Sequence, residues 1–587
     1  MLILILLLFC PSALLSHSSS SCPKDCECDA LPPTNSSWAV YCHHGGINDS
    51  RFAEIISRLP ATIRSLSIEA PESRPRNRFR WNDNLNRFSQ LKQLRLIGCG
   101  LPTMSRSTRL PSLELLDLRG NGIEHATMGN FGGMPSLKFL DLSRNSLSIL
   151  PTGVFTYLKS LQGLSLSHNN ITDLSSNLLR GLRTLKALHL DGNAIPIKQI
   201  NALFGDVPQL EELYLNHCQL RSIANITLSS VSNLRKIGLA GNELKAVPTQ
   251  ALQVLPYLSS VDLSHNSIPE IASCAFCGNN ITRLDLSHNL LGLAKEPFHP
   301  DAFRNCPLRE LDLSFNHMNE FHSKWLSWAQ QGLQDLRLSG NSIEGFYPEL
   351  TETLPNLRKL HMAYNAIDQL PMLFPPQYYH LELLNISGNL LTSVPDNIPL
   401  TLPNIKDLDI SHNRFHVLSL AGLEFINKLE KVWLQGNPWD CSCSIQHLQH
   451  HLKERHAYRH ILSYHEVQCN EPSVVKGSQV SAVVGMNDCA VLFGARYGLS
   501  QTSELVILLT ALLLAGVLLS LFLACAYCMR ERQYKGSYVT REHSRTPLTM
   551  IQHLSGSTSG SSAASEPLTP PLPPPPPKIT AAAYFGI

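Results

Sequence analysis

From residue 63 to 436 the apolar positions recur on a fixed beat. At 140–151 the chain reads LDLSRNSLSILP, with Leu140, Leu142, Leu147 and Leu150 apolar and Asp141 and Ser143 polar between them. The L-x-L alternation has the period of two that predicts a short strand, with Leu140 and Leu142 inward and Asp141 and Ser143 outward. The wider pattern L-x-x-L-x-L-x-x-N-x-L returns with asparagine at 121, 145, 169, 193, 242, 266, 289, 316, 341, 365, 389, 413 and 437. Cys99 and Cys218 fill the same slot in two more copies, most steps are 24 residues, and the longest runs from Asn289 to Asn316. No single turn can bury its leucines alone, so the turns must stack, strand beside parallel strand. At ~4.8 Å per strand, fourteen steps predict a sheet on the order of 70 Å long. The strand side is the more tightly spaced, so the stack curves and the strands line its concave face. The recurrent asparagine is assigned a structural role. Its carboxamide offers donors and an acceptor to backbone groups that leave the strand without a ladder partner.

This period and pattern resemble the leucine-rich repeat of the typical extracellular class. The resemblance implies an α/β solenoid: a leucine-rich repeat horseshoe with a parallel β-sheet on the concave face and disulfide caps. Cys22-x3-Cys26-x-Cys28-x13-Cys42 precedes the repeats, and Cys441, Cys443, Cys469 and Cys489 follow them. Spacing alone allows three connectivities in each set. The resemblance implies Cys22–Cys28 and Cys26–Cys42 at one end, and Cys441–Cys469 and Cys443–Cys489 at the other. Zinc is the rival reading of such clusters, disfavoured in a secreted chain. Cys274, Cys277 and Cys306 are left over; Cys277 and Cys306 follow equivalent phenylalanines, which makes Cys277–Cys306 a candidate bridge with Cys274 as competitor.

The ends set the topology. An apolar run from Leu2 to Phe9 followed by small residues reads as a signal peptide, and Leu505–Tyr527 is 23 residues without a charge. Arg530, Arg532, Lys535 and Arg541 follow directly, so the positive-inside rule expects the N-terminal part outside the cell. The expected organisation is a signal peptide at 1–18, an N-terminal cysteine cap at 22–62, repeats at 63–436, a C-terminal cysteine cap at 437–489, a juxtamembrane linker at 490–504, a transmembrane helix at 505–527 and a disordered cytoplasmic tail at 528–587. That is a single-pass type I protein of the plasma membrane. In the tail, Pro573, Pro576 and Lys578 fit an SH3 ligand, the prolines at 570–573 resemble a WW ligand, and Phe585 and Ile587 fit a PDZ ligand. Tyr584 to Ile587 also reads as a tyrosine-based sorting signal, and Cys528 is a candidate for palmitoylation.

Charge and candidate chemistry narrow the function. Lys plus Arg number 48 and Asp plus Glu 46, a balance that gives no reason to expect nucleic acid. No nucleophile–base set, metal motif or phosphate loop stands out, so neither an enzyme nor a cofactor is expected. His447/His451 and His456/His460 have helical spacing, but Ile445, Leu448 and Leu452 form the expected buried face, which leaves the histidines solvated. Six sequons are glycosylation candidates, at Asn35, Asn48, Asn170, Asn225, Asn280 and Asn385, the last on the concave face. The outward strand positions include an acidic stripe, Asp262, Asp285 and Asp312, then Arg337. Tyr214 and Trp433 are aromatic candidates for ligand contact. The whole layout resembles the single-pass leucine-rich repeat receptors and adhesion proteins. The expected function is a cell-surface receptor that binds an extracellular protein on its concave face and recruits cytosolic adaptors. The alternative is a structural adhesion or matrix tether without signalling.

Overall fold

Most L-x-L segments form a three-residue strand whose middle side chain is buried, with flanks that are in most copies more exposed. In Phe139–Asp141, Leu140 is 2% exposed and Phe139 44%. The strands pair in parallel without slippage, Leu116 beside Leu140, Leu140 beside Leu164, and so on to Leu408 beside Val432. Nineteen strands make one sheet in the computed structural model, which describes residues 22–31, 37–442, 445–453, 457–483 and 501–534. Turns and short helices such as Ile197–Leu203 and Leu420–Ile426 return the chain between strands. Buried phenylalanines fill the space behind the sheet, with Phe131 5.5 Å from Phe155 and Phe276 5.5 Å from Phe303 between ring centres.

The asparagines form the ladder that their period predicts. Nδ2 of Asn145 donates to the carbonyls of Leu118 and Leu142, both at 3.0 Å, and its Oδ1 accepts from Ile123 N at 3.1 Å. One side chain thus ties two successive turns. The thiol of Cys99 donates to Ile68 O and Ile97 O, and that of Cys218 to Leu190 O. Burial pushes these thiols up to about 12 and about 11, so both stay neutral donors. Ser143, expected outward, is buried. The strand ends at Asp141, whose Oδ1 accepts from Ser143 N at 2.8 Å and turns the chain inward.

Both raw edges are covered. Glu27–Leu31 and Ser37–Cys42 make an antiparallel pair, and Ser37–Cys42 then runs parallel to Ile63–Glu69. Cys22 is bonded to Cys28, and Cys26 to Cys42. The helix Asp49–Arg58 buries Phe52, Ile55 and Ile56. At the other end Ile461–Leu462 extends the sheet, Cys441 is bonded to Cys469, and Trp439 is fully buried with its indole N–H on Leu434 O at 3.2 Å. Cys443 and Cys489 lie outside the described residues.

Two further expectations need correction. Cys274 is bonded to Cys277, not Cys277 to Cys306. The Cys306 thiol is buried and donates to Ile281 O at 3.4 Å, which turns it away from the surface. The C-terminal cap histidines are not uniformly solvated either. His451, on the helix Gln446–Lys453, is buried with its ring 5.6 Å from that of His460, because the turn Ala457–His460 folds back over it.

Residues 492–587 belong to a second unit. Its described part is the helix Gln501–Tyr534, in which Thr510–Tyr527 has a mean hydropathy of 2.2. Among the described residues this is the one helix long and apolar enough to cross a membrane. The signal peptide, Asn35 and the tail motifs lie outside the described residues.

Candidate ligand-binding face

Because the repeat strands from Gln93–Ile97 onward pair in register, the third residue of each falls into one line across the concave face. From Arg95 the line runs through Asp117, Asp141, Ser165, His189, Tyr214 and Gly238. It continues through Asp262, Asp285, Asp312, Arg337, His361, Asn385 and Asp409 to Trp433. The six candidate contact residues therefore share one surface, with Asp262, Asp285, Asp312 and Arg337 on four adjacent strands.

The carboxylates also have a local role. Oδ1 of Asp262, Asp285 and Asp312 accepts the backbone N–H two residues on, from Ser264, Ser287 and Ser314, at 2.9–3.0 Å. Asn385 does the same for Ser387 at 3.0 Å. This bond gives aspartate a structural reason to recur at the position. Burial raises the carboxyl pKa of Asp262 and Asp312, and the neighbouring Asp285 adds to it. Burial opposes the charge on Arg337, but Asp335 at 3.3 Å and Asp312 at 3.9 Å outweigh it and hold the guanidinium charged. His361 stands 3.8 Å from Asp335, and burial nevertheless lowers its pKa. The line thus passes from acid to base between one strand and the next.

Tyr214 and Trp433 are half-buried rather than exposed. The Tyr214 ring stacks on His189 at 4.4 Å, and its hydroxyl donates to Glu212 at 3.2 Å. Gly238, next in line, leaves room for that ring, since a Cβ there would stand 2.7 Å from it. Trp433 is flanked by Asp409 and, on the cap side, by Leu462.

A second line of rings escaped the sequence reading. The residue before each ladder asparagine or cysteine has positive φ, and along the stack it is Gly98, Gly120, Arg144, His168, Gly192, His217, Gly241, His265, His288, Phe315, Gly340, Tyr364, Gly388, His412 and Gly436. Where a glycine comes next in the line, the ring lies over that glycine's backbone. A Cβ on Gly340 would stand 2.3 Å from Phe315, and one on Gly388 2.6 Å from Tyr364. Where no glycine follows, the rings stack on each other: His265 on His288 at 3.9 Å, and His288 on Phe315 at 4.3 Å. This ledge lies three residues beyond Asp262, Asp285 and Asp312, so an aromatic rim borders the acidic stretch. The alternation of ring and glycine before each rung is its sequence signal.

The sequon asparagines at 48, 170, 225 and 280 are exposed, and Asn48 also caps the helix Asp49–Arg58 by accepting from Arg51 N. Asn385 is half-buried in the concave line. Among the described residues no group of three or more His, Cys, Asp or Glu side chains is gathered as for a metal ion.

Comparison with known proteins bears on this geometry. The profile of the family described as "Leucine rich repeat" matches residues 107–147, 140–195, 232–291, 298–367 and 379–438. The chain is 31% identical over 193 residues to leucine-rich repeat-containing G-protein coupled receptor 5 of Xenopus tropicalis, an alignment that covers 29% of this chain and 20% of that one. It is 30% identical over 152 residues to Tsukushi of Gallus gallus, covering 25% of this chain and 40% of that protein. The chain therefore spans well under half the length of these relatives. Among solved structures, a leucine-rich repeat protein of Leptospira interrogans superposes with a TM-score of 0.50 at 24% identity, over 69% of this chain and 97% of that one.

Proposed function

The chain belongs to the leucine-rich repeat receptor and adhesion proteins with a capped ectodomain, and from that premise we propose that it is a cell-surface receptor for an extracellular protein. The observation that carries the proposal is the concave line, on which Asp262, Asp285 and Asp312 meet Arg337 in unbroken register. A ligand that follows this line presents cations to the three aspartates and an acid to Arg337. Tyr214 and Trp433 supply apolar contact on either side. A glycan on Asn385 would keep the ligand off that strand, so Trp433 is in reach of the same ligand only where Asn385 carries no glycan. Side by side, strands of this kind offer an extended surface, which suits a protein better than a small molecule.

In this reading residues 22–62 and 437–489 are the caps, residues 505–527 cross the membrane, and Arg530, Arg532, Lys535 and Arg541 keep the tail in the cytosol. The tail acts by recruitment: Pro573, Pro576 and Lys578 bind an SH3 domain, and Phe585 and Ile587 a PDZ domain. Deleting residues 570–587 tests this part. A receptor loses its downstream response while ligand adhesion at the cell surface persists; an unchanged response contradicts adaptor recruitment and favours a tether.

A further inference from the structure

The disulfide Cys274–Cys277 differs from the others in what it holds. It closes a loop across a sequence separation of 3, against 6, 16 and 28 for the bridges in the caps. A bridge restrains the unfolded chain less as its loop shortens, so this one adds little stability. The segment Cys-Ala-Phe-Cys is fixed without it. Ala275 and Phe276 are buried, Cys274 N donates to Asp301 O at 3.3 Å, and Phe276 N donates to Ala302 O at 3.0 Å.

The two sulfurs have unlike surroundings. Nη2 of Arg304, itself exposed, stands 3.6 Å from Cys274 Sγ. Cys277 Sγ faces the carbonyl oxygen of Asp301 at 3.4 Å. A guanidinium favours a thiolate on Cys274, whereas a carbonyl oxygen repels a thiolate on Cys277 and accepts a hydrogen bond from its thiol. Both cysteines are partly exposed, as are Cys22 and Cys28, which have no such guanidinium beside them, while the bridges Cys26–Cys42 and Cys441–Cys469 are buried.

We propose that Cys274–Cys277 is a thiol-exchange site, open to small thiols of the glutathione class. An incoming thiolate attacks Cys277 Sγ, forms a mixed disulfide there and expels Cys274 as a thiolate beside Arg304. A second thiolate attacks the small-molecule sulfur of the mixed disulfide and leaves with it as an oxidised dimer. Cys277, released as a thiolate, takes one proton from water, and the resulting thiol hydrogen-bonds to Asp301 O. Two electrons pass from two thiols to the protein, and the reverse sequence returns them. Cys306 takes no part, since its thiol is buried and held on Ile281 O.

The test is stepwise alkylation and peptide mapping of the full-length chain in detergent, equilibrated against glutathione buffers of rising reduced fraction. Cys274 and Cys277 are expected to gain label together while Cys22, Cys26, Cys28, Cys42, Cys441 and Cys469 remain unlabelled, and the trapped intermediate carries glutathione on Cys277. With Cys277→Ser, iodoacetamide should modify Cys274 at neutral pH about tenfold faster than when Arg304→Gln is added, the effect of roughly one unit in thiol pKa. Label entering Cys274 and Cys277 only when the caps open overturns the proposal. So does an unreduced digest in which Cys306 is joined to either cysteine. An alkylation rate unchanged by Arg304→Gln overturns the assignment of Cys274 as the thiolate.

Discussion

At Asn145 one carboxamide satisfies two carbonyls and one amide of adjoining turns, all away from water. Asn145→Ala is therefore expected to cost ~1–3 kcal/mol in chemical unfolding, through the polar groups it strands. Asn145→Cys should cost less, because Cys99 and Cys218 serve as rungs with a thiol. Asp117 carries a pH dependence. Burial, with Asp141 beside it, raises its carboxyl to about 6, well above the ordinary aspartate range. The folded state thus holds this proton more tightly than the unfolded one. Its contribution to stability is full below the unfolded pKa and is lost as pH rises through the folded value. Asp117→Asn keeps the acceptor for Arg119 N, as Asn385 does for Ser387 in its own turn. The variant should lose less stability between about pH 4 and 6, and gain on the order of 1–3 kcal/mol at neutral pH, as melting measured across that range would show. The rungs were legible because one residue type repeats at one spacing. Asn77 was not. It is buried and accepts from Ile47 N at 3.0 Å, but it stands in an irregular turn without the repeat's leucine spacing. The stacking of Tyr214 on His189 was hidden as well, since it arises only when register sets two turns side by side.

Among the elements, the strand is short and the turn that follows it does most of the specifying. Strand position, parallel register and the inward leucine row were readable, because a period of two inside a period of about 24 admits one stacking. The ring ledge was not, because its signal alternates between glycine and an aromatic or histidine and so looks irregular along the chain. Gly340→Ala tests that ledge. The new Cβ meets the Phe315 ring and sits at φ +67°, where a side chain costs ~1–2 kcal/mol before any clash. Phe315→Ala in the same chain should recover the clash part and leave the backbone part, a coupling of roughly 0.5–3 kcal/mol in a double-mutant cycle. Additive losses would mean that the ring does not lie over the glycine. The histidine of the C-terminal cap was misjudged for a related reason: the helical period placed Leu448 and Leu452 inward but could not foresee the turn that covers His451.

For the whole molecule, the repeats make one continuous sheet, and that continuity makes a charge pattern spread over 148 residues of sequence into one surface from Tyr214 to His361. The candidate contact residues were readable as outward positions. Whether they were half-buried, and which of them the turns had already engaged, depended on neighbours one repeat away. The central claim is that this concave line, displayed outside the cell, docks a protein. Photo-cross-linking of the full-length chain on intact cells tests it most directly, with a photoreactive residue at Asp285 in one variant and at the exposed Leu293 of the turn after Asn289 in another. A discrete adduct with an extracellular protein is expected from position 285 and none from position 293. An adduct from position 293 alone, or none from position 285 on cells that bind the ligand, would contradict it.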